Sequence, residues 1–261
     1  MRPSLLLSFF ILIFCLISCE ESEEGCLDFF ANNYNFDAVT SCDSCCTYPL
    51  VNFDFELIFN DEVFNINRDT FFISGEDTIV LKRLEIVFSD FEFVGDAGTY
   101  VTRDTLQTSL APVRDDFVFY KTSASKSIGR TRFADTIRTV NCRLGFDQDL
   151  LSMIKPFSGL DQSAKIDEAL DSLYSEDTNF YLSSRINFQL FDSIRQIEIV
   201  DPFPDNMLSY DVFIPVNAGV TWTIDAQIDI LKLLSGINAT LTNEEITAVL
   251  SQNLSAAVSI E

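Results

Sequence analysis

Four stretches of the chain alternate apolar and polar residues with a period of two, and this constrains the fold more than any other feature. Val51, Phe53, Phe55, Leu57 and Phe59 share one side of the first, with Asn52, Asp54 and Glu56 on the other. Phe180, Leu182, Ile186, Phe188 and Leu190 oppose Tyr181, Ser183, Arg185, Asn187 and Gln189. Leu208, Tyr210, Val212, Ile214 and Val216 repeat the pattern, and Val220, Trp222, Ile224, Ala226, Ile228 and Ile230 oppose Thr221, Thr223, Asp225, Gln227 and Asp229. Successive side chains leave a strand on opposite faces, so each stretch reads as a half-buried antiparallel strand. Shorter candidates lie at 79–93, 116–122, 138–146 and 194–200. About eight such strands around one core predict an all-β fold, an antiparallel β-sandwich, with a closed barrel as the alternative.

One or two short helices interrupt the strands. Ala164, Ile166, Ala169, Leu170 and Leu173 follow helical spacing over 163–175. Thr242 and Glu245 form a capping-box pattern ahead of Ile246, Val249 and Leu250. Leu231 to Gly236 reads as a single turn that stops at glycine.

The chain carries 40 acidic against 17 basic residues, a formal charge of −23. Acidity here is not disorder, because 47% of residues are hydrophobic and 25 are Phe. Such a surface repels nucleic acid and anionic headgroups, so no nucleic-acid partner is expected, and it leaves room for divalent cations.

The N-terminus reads as an export signal: Arg2, an apolar run from Leu5 to Ile17, then the small Ser18. The run is shorter than the roughly 20 residues a spanning helix needs. Leu16-Ile17-Ser18-Cys19 resembles the lipobox of bacterial lipoproteins. The resemblance implies diacylation of the Cys19 thiol, cleavage before Cys19, and attachment to a membrane through the acyl chains. The following Glu20-Glu21-Ser22-Glu23-Glu24 resembles the surface-export signal of Bacteroidota lipoproteins, which implies an outer-membrane anchor facing the cell exterior. Read as a solvated tether, the same run suits a periplasm-facing anchor. The expected organisation is a signal at 1–18, an acidic tether at 19–24, a Cys-rich module at 25–49 and a β domain at 50–261.

Besides Cys19, the head holds Cys26, Cys42, Cys45 and Cys46. An even set in an exported chain reads as two disulfides. A Cys45–Cys46 bridge between adjacent residues is disfavoured. That favours Cys26 with Cys45 or Cys46, and Cys42 with the other. Cys42-x-x-Cys45 also has zinc-ligand spacing, but the chain contains no histidine, and thiols outside the cytoplasm tend to oxidise. Gly25-Cys26-Leu27-Asp28, Ala31-Asn32-Asn33-Tyr34 and Cys46-Thr47-Tyr48 together resemble a short module of Bacteroidota surface proteins. The resemblance implies that a disulfide ties the module's ends and that a ligand-binding or adhesin-like domain lies nearby. Too small for its own core, such a module needs staples. Asp28, Asn32, Asp37 and Asp43 offer oxygen ligands to calcium. The alternative is that they make turns, which is favoured because the EF-hand spacing is missing.

Val51–Phe59, Phe64-Asn65-Ile66 and Arg83–Phe93 resemble the opening of MbnP-like proteins. Cys142-Arg143-Leu144-Gly145-Phe146-Asp147 and Leu231–Gly236 resemble later motifs of that family. The likeness implies a β-sandwich and, for members near methanobactin operons, copper bound by histidine and an oxidised tryptophan. This chain departs from that ligand set. It has no histidine, and Asn179–Leu190, in place of the family's Trp-rich strand, carries Phe180 and Tyr181. Met153, Met207 and Cys142 are too scattered for a copper(I) site. The sole tryptophan, Trp222, lies on an apolar strand face and is expected in the core.

Catalysis finds no constellation. Ser-His-Asp and Cys-His arrangements need histidine, and the chain lacks a P-loop and a Gly-rich dinucleotide turn. Cys142 reads as a small buried hydrophobe, with Arg143 on the opposite face. The expectation is a non-catalytic envelope lipoprotein whose β-sandwich binds or scaffolds something outside the cell, without a resident cofactor. A copper-handling protein with altered ligands is the runner-up, and a carboxylate-based hydrolase comes third.

Overall fold

The computed structural model describes residues 23–66, 69, 71–74, 77–106, 113–121, 126–146, 172–175, 180–190, 193–200 and 207–261. Its main strands are β1 (Leu50–Phe59), β2 (Asp77–Gly95), β3 (Val118–Tyr120), β4 (Lys126–Arg130), β5 (Asp135–Leu144), β6 (Phe180–Leu190), β7 (Ser193–Val200), β8 (Met207–Val216), β9 (Trp222–Asp229) and β10 (Val258–Ile260). Two helices, α1 (Ile230–Leu233) and α2 (Asn243–Ala257), precede β10.

The strands form two sheets packed as a sandwich. The larger has β7, β6, β2, β5 and β8 side by side, and the smaller runs β4, β1, β9, β10. β2, 19 residues long, joins two halves of the large sheet: Ile79–Ile86 pair with β6, and Phe88–Gly95 pair with β5. The alternation works as expected in β1, where Val51, Phe53, Phe55 and Leu57 are buried and Asp54 and Glu56 are exposed. β1 ends where Asn60 and Asp61 both take positive φ, 53° and 62°. That pair makes a two-residue hairpin into Glu62–Val63, because φ > 0 at both positions matches the strand twist.

Aromatic rings close the space between the sheets. Phe53 lies 5.9 Å from Phe88 and 5.3 Å from Phe91 between ring centres, and Phe55 stacks on Phe88 at 5.3 Å. Trp222 is buried edge-on to Phe93 and Phe133, at 5.2 and 6.0 Å. Its expected place in the core is where it stands.

Two expectations need correction. First, β9 runs parallel to β1, with Trp222 opposite Val51 and Asp229 opposite Ile58. A parallel neighbour needs a long crossover, and here the chain between the two strands builds most of the other sheet. Period-two alternation is the same for either direction. Second, the helix expected over 163–175 lies outside the described residues up to 171; Ser172 and Leu173 are helical as expected, but Tyr174–Ser175 are a strand paired with Phe180–Tyr181. The single turn expected at Leu231 to Gly236 forms as helix α1, one residue earlier at its start, Ile230. Asp229 caps it by accepting from the Leu231 and Lys232 amides at 2.9 and 3.1 Å, and Gly236 ends the segment at φ 82°. The capping box at Thr242 and Glu245 forms as expected at the start of α2. No helix among the described residues is long and apolar enough to cross a membrane.

Candidate functional site

Cys19 lies outside the described residues. The described chain begins at Glu23, and Glu24–Gly25 pair in parallel with Thr40–Ser41. The head then closes through one disulfide, Cys26–Cys46. That joins the two ends of the module, as its resemblance implied. Where the sequence implied a second bridge, Cys42 and Cys45 stand as free thiols, Cys42 capping and Cys45 ending a short 3-10 turn at Asp43–Cys45. The Cys45 thiol lies 2.9 Å from the Cys42 carbonyl oxygen.

Of the four calcium candidates, Asp28 and Asp43 make turns with their side chains, while Asn32 and Asp37 are held by their backbone amides. Asp28 Oδ1 accepts from the Phe30 amide at 3.1 Å, and Asp43 Oδ1 accepts from the Ser41 hydroxyl at 2.8 Å. The Asn32 amide donates to the Thr47 carbonyl at 2.8 Å, and the Asp37 amide donates to Asn35 Oδ1 at 3.0 Å. Among the described residues, no three or more of the histidine, cysteine and acidic side chains group round a common point.

Asp28 instead serves the junction between head and sandwich. Its Oδ2 accepts from the Tyr48 hydroxyl at 2.8 Å and meets Arg132 Nε at 2.6 Å. Burial pushes the Asp28 carboxyl up, but Tyr48, the Phe30 amide and Arg132 together outweigh it and hold it below the usual carboxylate range. The Arg103 guanidinium sits over the Tyr48 ring at 5.0 Å. The Thr131 amide donates to the Pro49 carbonyl at 2.9 Å. Gly219, in the β8–β9 turn at φ 68°, comes so close to the head that an added Cβ would lie 2.8 Å from the Ala31 carbonyl oxygen. The head is therefore seated on the sandwich through an ion pair, a cation–π contact and close backbone packing.

Two polar clusters lie within the large sheet. In the first, the register of β2 against β5 shifts beside Cys142, leaving Asp90 and Phe91 as a bulge with Asp90 at φ 55°. Asp90 pairs with Arg114 and, at 2.9 Å, with Arg143. Asp116 accepts from the Phe91 amide at 3.1 Å and lies 3.3 Å from Arg114. Burial pushes the Asp116 carboxyl up to about 6; Arg114 pulls against this and the Asp90 charge adds to it. Cys142 faces the core on the opposite side from Arg143, and burial raises its thiol to about 12.

In the second cluster, Arg185 on β6 stands in register between Glu85 on β2 and Glu198 on β7. Arg185 pairs with Glu198 at 3.1 Å, and Ser175 donates to the other Glu198 oxygen at 2.8 Å. Glu85 is fully buried. Its Oε1 meets Arg83 at 2.6 Å, while its Oε2 and Asn187 Oδ1 are buried without hydrogen-bond partners. In both clusters arginine ties the carboxylates of neighbouring segments together.

The sequence reading missed Arg132 and Tyr48 as seat residues, and it missed Asp90, Asp116 and Glu85. One signal was available for the bulge. Leu84, Ile86 and Phe88 keep one parity, and Phe91 and Phe93 keep the other, yet all five are fully buried. A parity switch inside one buried strand requires an extra residue.

No family model matches the sequence. No curated protein matches it either. Among solved structures, MbnP from Methylosinus trichosporium is similar to this chain at 10% sequence identity and a TM-score of 0.43, covering 72% of this chain and 78% of that one.

Proposed function

We propose that the protein is a non-catalytic lipoprotein of the cell envelope. Cys19 carries the acyl chains, residues 20–24 form an acidic tether, and the head with its β-sandwich is the binding or scaffolding body presented outside the cytoplasm. The observation that carries this reading is the sequence Leu16-Ile17-Ser18-Cys19 behind Arg2 and an apolar run. The seated head supports it further. A tether of a few residues, each spanning at most about 3.5 Å, leads straight into a stapled module that Asp28 and Gly219 hold against the sandwich. The body would thus stand close to the membrane on a short leash.

The non-catalytic part of the reading rests on side-chain chemistry. The chain has no histidine, and the buried carboxylates Glu85 and Asp116 and the half-buried Asp90 are each bound to arginine. The net charge of −23 steers the surface away from polyanions.

Membrane fractionation of cells expressing the full chain and its Cys19→Ser variant tests the assignment. The native chain should sediment with outer membranes and partition into detergent. The variant should lose the lipid-dependent fraction while keeping the Cys26–Cys46 bridge. Equal partitioning of both forms would remove the lipoprotein reading.

A further inference from the structure

We propose that Cys42 and Cys45 form a reversible dithiol–disulfide pair that opens and closes by exchange while the Cys26–Cys46 bridge stays shut. The two thiols belong to one turn, in which the Cys45 amide donates to the Cys42 carbonyl at 3.2 Å. A turn of this kind brings residues i and i+3 within about 7 Å between Cα atoms, and a disulfide spans about 4.4–6.8 Å. The backbone is thus already folded for the bridge. Closure needs a swing of the Cys45 side chain away from the Cys42 carbonyl, 2.9 Å from its sulfur.

Exposure separates Cys45 from the permanent bridge. Cys45 is exposed, Cys42 and Cys46 are both half-buried, and Cys26 is among the buried core residues of the head. A soluble disulfide therefore reaches the turn and not Cys26. The first thiol attacks one sulfur of the donor disulfide as its thiolate, its proton going to solvent, and one donor thiol leaves. The second thiol then attacks the resulting mixed disulfide, loses its own proton and releases the second donor thiol. Cys42 and Cys45 are oxidised by two electrons, and the donor disulfide is reduced to two thiols. The Cys45 thiol is raised, first by its hydrogen bond with Cys42, then by burial and by the Cys42 charge, with Glu24 adding last. The step in which Cys45 attacks therefore draws on a small thiolate fraction and is slow near neutral pH.

The turn is connected to the rest of the head. The Asn33 side chain donates to the Cys45 carbonyl and accepts from the Thr47 amide, both at 2.8 Å. Closing the ring fixes the turn at the edge of that clamp, whose Thr47 is next to Tyr48 and its bond to Asp28.

The test equilibrates the folded full chain in mixtures of oxidised and reduced glutathione, quenches with acid, alkylates with iodoacetamide and maps the peptides by mass spectrometry. Alkylation at Cys42 and Cys45 should disappear together as a Cys42–Cys45 linked peptide forms, and return on mild reduction, with the Cys26–Cys46 peptide unchanged throughout. In the Cys45→Ser variant the reaction should stop at a glutathione adduct on Cys42. A variant that loses the Cys26–Cys46 peptide is set aside for Cys42→Ser, which should stop at an adduct on Cys45. The proposal is overturned if the native chain keeps both thiols alkylatable at every ratio. It is equally overturned if separate glutathione adducts accumulate on both cysteines, or if the bridge forms to Cys46 with release of Cys26.

Discussion

Arg132 Nε lies 2.6 Å from Asp28 Oδ2 and joins the stapled head to the loop between β4 and β5. The same carboxylate oxygen accepts from Tyr48, so one atom of the head serves both its internal fold and its seat. Arg132→Ala should cost about 1 kcal/mol, since its guanidinium is partly solvated. Asp28→Ala should cost more, because it also strands the Tyr48 hydroxyl. Urea denaturation of each variant and of the double variant measures both, and the pair should be non-additive.

The close approach of Gly219 to Ala31 gives a second handle on the same seat. Gly219→Ala meets both a positive φ and a carbonyl oxygen at 2.8 Å, so it should destabilise by more than about 1 kcal/mol. Limited proteolysis after the head, near Pro49, should quicken in this variant and not in Gly98→Ala, where an added Cβ meets nothing within 4 Å.

Asp116 sets a pH dependence opposite to that of Asp28. Its folded carboxyl titrates at about 6, above the unfolded value of about 3.9. The native state therefore holds the proton more tightly, and this stabilising contribution is full below pH about 3.9 and lost as pH rises through about 6. At Asp28 the folded value is lowered, so its contribution is present above the unfolded value and is lost as pH falls through the folded one. Stability measured from pH 4 to 7 should rise relative to native at the upper end in Asp116→Asn. A flat difference between the two proteins across that range would contradict the assignment.

Glu85 is a buried carboxylate with one unpartnered oxygen, tied only to Arg83 among the contacts of its Oε1 and Oε2. Arg83→Met should destabilise by up to about 3 kcal/mol, because it leaves the charge uncompensated. The double variant Arg83→Met/Glu85→Met should recover much of that loss. Thermal unfolding followed by the emission of Trp222, the sole tryptophan, reads both.

Core packing between the sheets should dominate every surface term. Phe53 is fully buried against Phe55, Phe88 and Phe91, so Phe53→Ala should cost about 3–5 kcal/mol in urea unfolding.

How much of this was legible from residues alone depends on what each pattern encodes. Alternation in Val51–Phe59, Phe180–Leu190 and Met207–Val216 places the buried face of each strand, because the period of two is a property of the backbone itself. It carries no information on which strands are neighbours, so the parallel pairing of β9 with β1 was invisible. The module Gly25–Tyr48 predicts a closed loop, and the Cys26–Cys46 bridge closes it. The fate of Cys42 and Cys45 depends on a side-chain rotation and on redox conditions, neither of which spacing encodes. Arg132 gave no sign of its role, since its partner Asp28 is brought to it only when the head folds back onto the sandwich. The bulge at Asp90 was written in the parity change from Phe88 to Phe91, a signal hidden inside one unbroken apolar run.

The lipid anchor at Cys19 is the central claim, and mass spectrometry of the mature N-terminus tests it most directly. Protein extracted from membranes should begin at Cys19, with a diacylglyceryl group on its sulfur and an acyl chain on its amine. A mature chain that begins elsewhere, or that begins at an unmodified Cys19, would contradict the account.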